Sequence, residues 1–81
     1  MDTKVAVISI IVENSSAVEP LNALLHDYSD YIIGRMGIPY KVRKINLISV
    51  ALDAPADVIS ALAGKLGNLP GLSVKTAIAG I

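Results

Sequence analysis

The 81-residue sequence predicts an α+β domain of β-α-β-β-α-β order. Runs of β-formers at Lys4–Val12, 31–38, 45–52 and 72–78 alternate with two segments whose apolar residues recur at helical spacing. Both helical segments open on capping residues with a proline close behind. The chain therefore reads as two successive β-α-β halves, the split arrangement of a ferredoxin-like sandwich. That arrangement implies an antiparallel sheet of order 4-1-3-2. Right-handed crossovers put both helices on one face.

Lys4–Val12 is apolar at both odd and even positions, the pattern of a strand covered on both faces. Glu13, Asn14, Ser15 and Ser16 break it. Ser16 with Glu19 fits a capping box, and Asn14 or Ser15 can serve as the cap instead. Pro20 favours the later start, because a helix tolerates proline only in its first turn. Val18, Leu21, Leu24, Leu25 and Tyr28 then form one stripe, with Asn22, His26, Asp27 and Ser29 off it. The 31–38 strand is interrupted by Gly34 and Gly37, the mark of a β-bulge or a close backbone approach. A connection starting at Pro39 ends near Lys44. The 45–52 run is again apolar on both parities and belongs in the centre. Asp53 is the expected cap of the second helix, with Pro55 in its first turn. Val58, Ile59, Leu62, Ala63 and Leu66 form its stripe, Lys65 complements its dipole, and Gly67 stops it. The 72–78 run alternates, as a half-exposed edge strand does.

This arrangement assigns Ala6, Ile8, Ile10, Val12, Ile48, Val50, Leu52, Val74 and Ile78 to the helix-covered face. The opposite face carries Val5, Val7, Ser9, Ile11, Ile33, Leu47, Ser49 and Ala51, and no segment remains to cover it. Burying about 500 Å² of such a face at ~25 cal/mol per Å² contributes about 12 kcal/mol of gross transfer energy. Association entropy offsets much of that. The small residues Ser9, Ser49 and Ala51 permit close approach of a second sheet. A homo-oligomer, dimer or tetramer, is expected.

Composition agrees. A single domain over residues 1–81 buries only about 60–65% of its unfolded surface. Cysteine is absent, so no disulfide can staple it. The apolar fraction is 53% against 17% charged residues, more than a lone small domain normally carries. Seven basic residues balance seven acidic ones, so no global field draws nucleic acid or acidic lipid. The first apolar run lacks the flanks of a signal peptide and is far short of the roughly 20 residues of a membrane span. A cytoplasmic protein without membrane attachment is expected.

No constellation announces catalysis, and no enzyme is expected. His26 is the only histidine, too few for a metal site of three or four ligands. Of the carboxylates Asp2, Glu13, Glu19, Asp27, Asp30, Asp53 and Asp57, four lie near helix starts, where the dipole accounts for them. Ser15, Ser16, Ser29 and Ser60 have no nucleophile elbow. Arg35, Lys41, Arg43 and Lys44 form a basic cluster unrelieved by any acid. It can bind phosphate or protect an edge hairpin against unwanted pairing. Arg35 differs from the other three, since it sits within a strand between Gly34 and Met36-Gly37.

The stretch Leu25-His-Asp-Tyr-Ser-Asp-Tyr-Ile-Ile-Gly-Arg-Met-Gly-Ile-Pro-Tyr40 goes beyond pattern. So do Ile8-Ser-Ile-Ile-Val-Glu-Asn14, Ile48-Ser-Val-Ala-Leu-Asp-Ala-Pro55 and Ile59-Ser-Ala-Leu-Ala-Gly-Lys-Leu-Gly67. Together they resemble the small bacterial family of iron-only hydrogenase system regulators, over nearly the whole chain and most specifically at 34–40. The resemblance implies an ACT-like domain, similar to the C-terminal, ligand-sensing domain of the nickel-responsive repressor, and a role in regulation. That repressor places a ribbon-helix-helix before its sensing domain, whereas here the first strand starts at Lys4, so direct DNA binding by that route is not expected. Its nickel ligands are several histidines and a cysteine. With one histidine and no cysteine, no metal ligand and no cofactor carry over.

The resulting expectation is an oligomeric regulatory domain that senses a small-molecule effector at a subunit interface. The candidate site joins Glu13, Asn14 and Ser15, at a loop and helix start, to Gly34, Arg35, Met36 and Gly37 of a neighbour. Two alternatives stand beside it. One is a protein-interaction module that holds a regulatory partner and no ligand. The other is a weak nucleic-acid-binding regulator using Arg35, Lys41, Arg43 and Lys44.

Overall fold

The computed structural model describes residues 2–79. Strand β1 (Lys4–Val12) leads through one 3₁₀ turn (Ser15–Ala17) into helix α1 (Val18–Asp27). A second 3₁₀ turn (Ser29–Tyr31) enters strand β2 (Ile32–Tyr40), which returns as β3 (Ile45–Ala54). Helix α2 (Ala56–Gly67) and strand β4 (Leu72–Ala79) follow. The four strands form one antiparallel sheet in the order β2-β3-β1-β4, the expected order read from its other edge.

The core lies between the sheet and the helices. In β1 every second side chain is enclosed: Ala6, Ile8, Ile10 and Val12. Val50, Leu52 and Ala54 of β3 continue that layer, and Leu21, Leu25, Ile59, Leu62 and Leu66 cover it from the two helical stripes. Cross-strand pairing explains the match, since Ile8 lies opposite Val50 and Ala6 opposite Leu52, and directly opposed residues share a face. Among the described residues no polar or charged side chain is buried, so apolar transfer is the main driving force on this side.

Several local expectations are corrected. Asp53 does not cap α2: β3 runs on to Ala54, Asp53 stays exposed in the strand, and Pro55 is the N-cap without a side-chain bond. The Ser16–Glu19 box does not form either. Asn14 accepts from the Ser16 amide at 3.0 Å and from the Ser16 hydroxyl at 2.9 Å, which caps the 3₁₀ turn. Gly67 is the last residue of α2 rather than its stop, and Asn68 is the C-cap. Strand β2 extends through Pro39, which an edge strand tolerates because its outer amides need no ladder partner. The single register irregularity falls between Ile32 and Gly34. Gly37 pairs in regular register with Ile48. Ile78 has the expected parity, opposite Ala6, yet it is 51% exposed, near the end of edge strand β4.

The glycine that the backbone demands is Gly71, in the turn before β4. Its φ is +86°, and a Cβ there would stand 2.8 Å from the Asn14 Cβ. Its carbonyl accepts from the Glu13 amide at 2.7 Å, fastening the β1–α1 loop to the β4 turn. A side chain would be strained by the φ and would push on that loop.

Candidate functional site

Two features of the molecule are unaccounted for by the fold. The first is the sheet face that the helices leave bare. Its β1 positions are Val5, Val7, Ser9 and Ile11, which the register sets opposite Asp53, Ala51, Ser49 and Leu47 of β3. Gly34, Met36 and Ile38 of β2 lie opposite Ala51, Ser49 and Leu47 and so join the same face. Val7 is 38% exposed, Ile11 42%, Ile38 52% and Met36 62%. Charge on this parity is confined to its margins. Asp53 stands near one end of the sheet and Lys75 on edge strand β4 opposite Ser9. At the centre, the small pair Ser9 and Ser49 leaves a depression of about 230 Å³, walled by Ile11, Met36, Ile38 and Leu47.

The second is a groove on the other side of the sheet, between α1 and β2. Strand β2 is an edge of the sheet, and most of it remains exposed. Arg35, opposite Val50, points to this helix side, and its Nη2 donates to Asn22 Oδ1 of α1 at 3.0 Å. On one side of that bridge lies a cavity of about 320 Å³ lined by Asn22, Leu25, His26, Ser29, Ile32 and Arg35. On the other side lies one of about 280 Å³, whose walls include Val18, Pro39, Asn46 and Ile48. Among the described residues, no carboxylate lines either cavity.

The sequence-derived candidates thus separate. Gly34 and Met36 belong to the bare face, whereas Arg35 and Gly37 belong to the helix side. Ile33 occupies the register irregularity and is 64% exposed. Glu13, Asn14 and Ser15 sit at the end of β1. Glu13 accepts from the Ser73 hydroxyl at 3.0 Å, and Asn14 is occupied with its cap. Within one chain, this loop and Arg35 do not meet. Val12 is level with Asn46 and hence with Pro39, four residues from Arg35. That places them about 13 Å apart along the strands and about 10 Å across them, at ~3.3 Å per residue and ~4.8 Å per strand. Lys41, Arg43 and Lys44 occupy the exposed β2–β3 turn with Val42, beyond the Pro39–Asn46 end of the groove, and Lys44 takes a left-handed φ of 58°.

Sequence reasoning missed Met36 and Ile38 as members of the bare face, and Asn22 as the partner of Arg35. The first two were recoverable: Met36 and Ile38 share a parity, and placing the bulge before Gly34 assigns that parity to the outer face. Asn22 carried no signal beyond lying off the apolar stripe. Among the described residues, no group of three or more His, Cys, Asp or Glu side chains could hold a metal ion. Among the described residues, no helix is long and apolar enough to cross a membrane.

Comparison with known proteins gives these features a context. Residues 4–76 match the family model of TM1266-like proteins, described as "Iron-only hydrogenase system regulator, putative". The solved structure of TM1266 from Thermotoga maritima is similar at a TM-score of 0.89 and 34% identity, over 94% of this chain and 96% of that one. The C-terminal domain of the MgtC protein from Mycobacterium tuberculosis superposes at a TM-score of 0.75 and 13% identity, over 96% of this chain and 89% of that one. A formyltetrahydrofolate deformylase from Pseudomonas putida KT2440 matches at 0.64 and 13% identity, with the chain spanning 28% of its length. The last two likenesses show the shared fold alone. No curated protein matches.

Proposed function

The chain belongs to the TM1266-like family, and on that premise we propose that it is a non-enzymatic regulatory subunit of the cytoplasm. It assembles with copies of itself through the bare sheet face and senses a small molecule on the other side of strand β2, behind that interface. The family's description links such proteins to an iron-only hydrogenase system, so the regulated process is hydrogenase-linked. The observation that carries the reading is the bare face itself. It is apolar across three strands, has small residues at its centre, and keeps its charges at the rim, the composition of a sheet-on-sheet interface. A monomer rarely leaves so large an apolar surface in water.

Strand β2 supplies the coupling. Met36 contributes to the interface and its neighbour Arg35 to the groove behind it, so a ligand that moves Arg35 also moves an interface residue. The Glu13–Asn14–Ser15 loop of a neighbouring protomer closes over the 34–37 segment. A ligand with different affinity for two arrangements of the subunits then shifts the population between them. Sedimentation or native mass spectrometry at micromolar concentration tests the assembly: a dimer or higher species is expected, and a clean monomer would refute it.

A second reading has one observation in its favour: the exposed turn of Lys41, Val42, Arg43 and Lys44 carries three cations and no acid. If it binds nucleic-acid phosphate, retention on heparin falls steeply as salt rises.

A further inference from the structure

We infer that the groove between α1 and β2 is a binding site for a small organic carboxylate with an apolar arm, the anionic end held by Arg35 and the arm lying toward Val18 and Pro39. The inference rests on the ligand-sensing part of the proposed function and not on the assembly, because the groove lies within one protomer, on the opposite side of the sheet from the bare face.

Arg35 is set for this task by its partner. A guanidinium has five N–H donors, and here one of its nitrogens donates to a neutral side-chain amide, Asn22 Oδ1, which leaves the charge uncompensated. Among the described residues, neither cavity beside it is lined by an acid that would neutralise it. The planar fork matches a carboxylate by two parallel bonds. On the first side of the bridge, the Ser29 hydroxyl and the His26 imidazole line the same cavity as the guanidinium and offer further polar contacts to the anion. On the second side the wall is largely apolar, from Val18, Ile48 and Pro39, with Asn46 at its margin. A purely inorganic anion would leave that second cavity unused. A purely apolar ligand would leave the charge unmatched. Together the two cavities select a molecule that has both parts.

The test uses the wild-type protein and the straight-chain series from acetate to hexanoate, with hexanol as the uncharged control. Binding is read by calorimetry and by the NMR signals of the Arg35 and Asn22 side chains. Each added methylene is expected to tighten binding by up to about fourfold as the arm is buried, and hexanol is expected not to bind measurably. Two variants, each of which lowers the local charge by one, check the anchor. Arg35→Gln removes the cation and weakens hexanoate about tenfold or more. Asn22→Asp is nearly isosteric and exposed, and it gives Arg35 an internal counter-ion, so it also loses hexanoate while the protein keeps its unfolding midpoint. Equal affinity for acetate and hexanoate, equal affinity for hexanol, or hexanoate binding retained in both variants overturns the assignment. Sedimentation of the same samples separates this outcome from the assembly. A monomer that still binds hexanoate refutes only the interface, and an oligomer that ignores it refutes only the groove.

Discussion

Ile8 and Ile11 are the same residue type, three positions apart in one strand, in opposite circumstances. Ile8 is fully enclosed, in the cluster with Leu21, Ile59 and Leu62. Ile11 is 42% exposed on the other side of the sheet. The two faces carry side chains of similar character, and what distinguishes them is where the cover comes from. The helix side is completed within the chain, by two amphipathic stripes. The bare side has no such layer, so its apolar residues contribute to stability only when something else excludes water from them. Mutations on the two faces should therefore respond differently to dilution.

The largest effect belongs to the enclosed face. Ile8→Ala removes a fully buried side chain and leaves a cavity, and we expect a loss of about 2–5 kcal/mol in chemical denaturation. For a domain of this size that is a large share of the total stability. The loss should be the same fold-for-fold at every protein concentration if Ile8 acts within one protomer. Next comes Ile11→Lys on the bare face. Burying an unpaired ammonium against a second sheet is costly, and we expect self-association to weaken at least about 100-fold, roughly 3 kcal/mol. Far-UV circular dichroism should stay native, because no intrachain core contact is lost. A variant that unfolds at all concentrations, or one that assembles as before, would erase the distinction between the faces.

A smaller effect separates two glycines. Gly71→Ala should cost about 2 kcal/mol, since the left-handed φ alone costs about 1–2 kcal/mol for an L-residue and the new Cβ must displace Asn14. Gly37→Ala should lie within about 0.5 kcal/mol, because its Cβ would meet only Ile48 at an ordinary 3.9 Å. Equilibrium unfolding of the two variants under one set of conditions decides it. If Gly37 proves the costlier, the 34–37 segment is constrained by a neighbour that the isolated protomer lacks, which would strengthen the case for assembly there.

The pair also shows what could be read from the chain. Element order, sheet order and both helical stripes were legible because periodicity is a property of many residues at once, and burial at Leu21, Leu25, Ile59, Leu62 and Leu66 follows it. Membership of the regulator family was legible for a similar reason, in stretches spread over the length. Single-residue geometry was not. Gly34 and Gly37 attracted attention by lying inside a strand, whereas Gly71, in an unremarked turn, is the one whose φ requires glycine. Asp53 looked like a cap because aspartate is a favoured N-cap and Pro55 fits a first turn, but pairing with Val5 keeps the strand extended past it. The candidate site shared this fate. Its residues 34–37 were named as one segment, while strand alternation sends Arg35 and Met36 to opposite faces, and a bulge whose position depends on tertiary pairing decides which of them faces the helices.

The smallest effect lies on the enclosed side's outer surface, where Lys65 of α2 meets Tyr28 after α1. Lys65 Nζ donates to the Tyr28 hydroxyl at 3.0 Å and stands 5.3 Å from the ring centroid. The hydrogen bond to Tyr28, then the electrostatic influence of the same residue, raises the Lys65 pKa above its ordinary value. A raised pKa means that the folded protein holds this proton more tightly than the unfolded chain does. The linked stability is then fully present below the unfolded value of about 10.4 and is lost as pH rises through the higher folded value. Because Lys65 is fully exposed, solvent screens the interaction strongly. Tyr28→Phe keeps the ring and removes only the hydroxyl. We expect its melting midpoint to fall by no more than about 2 °C at neutral pH, with the gap to the wild type narrowing above pH 10. A larger loss at neutral pH would mean that this contact clamps the two helices over the core, and that the enclosed face owes part of its closure to a polar bond at its rim.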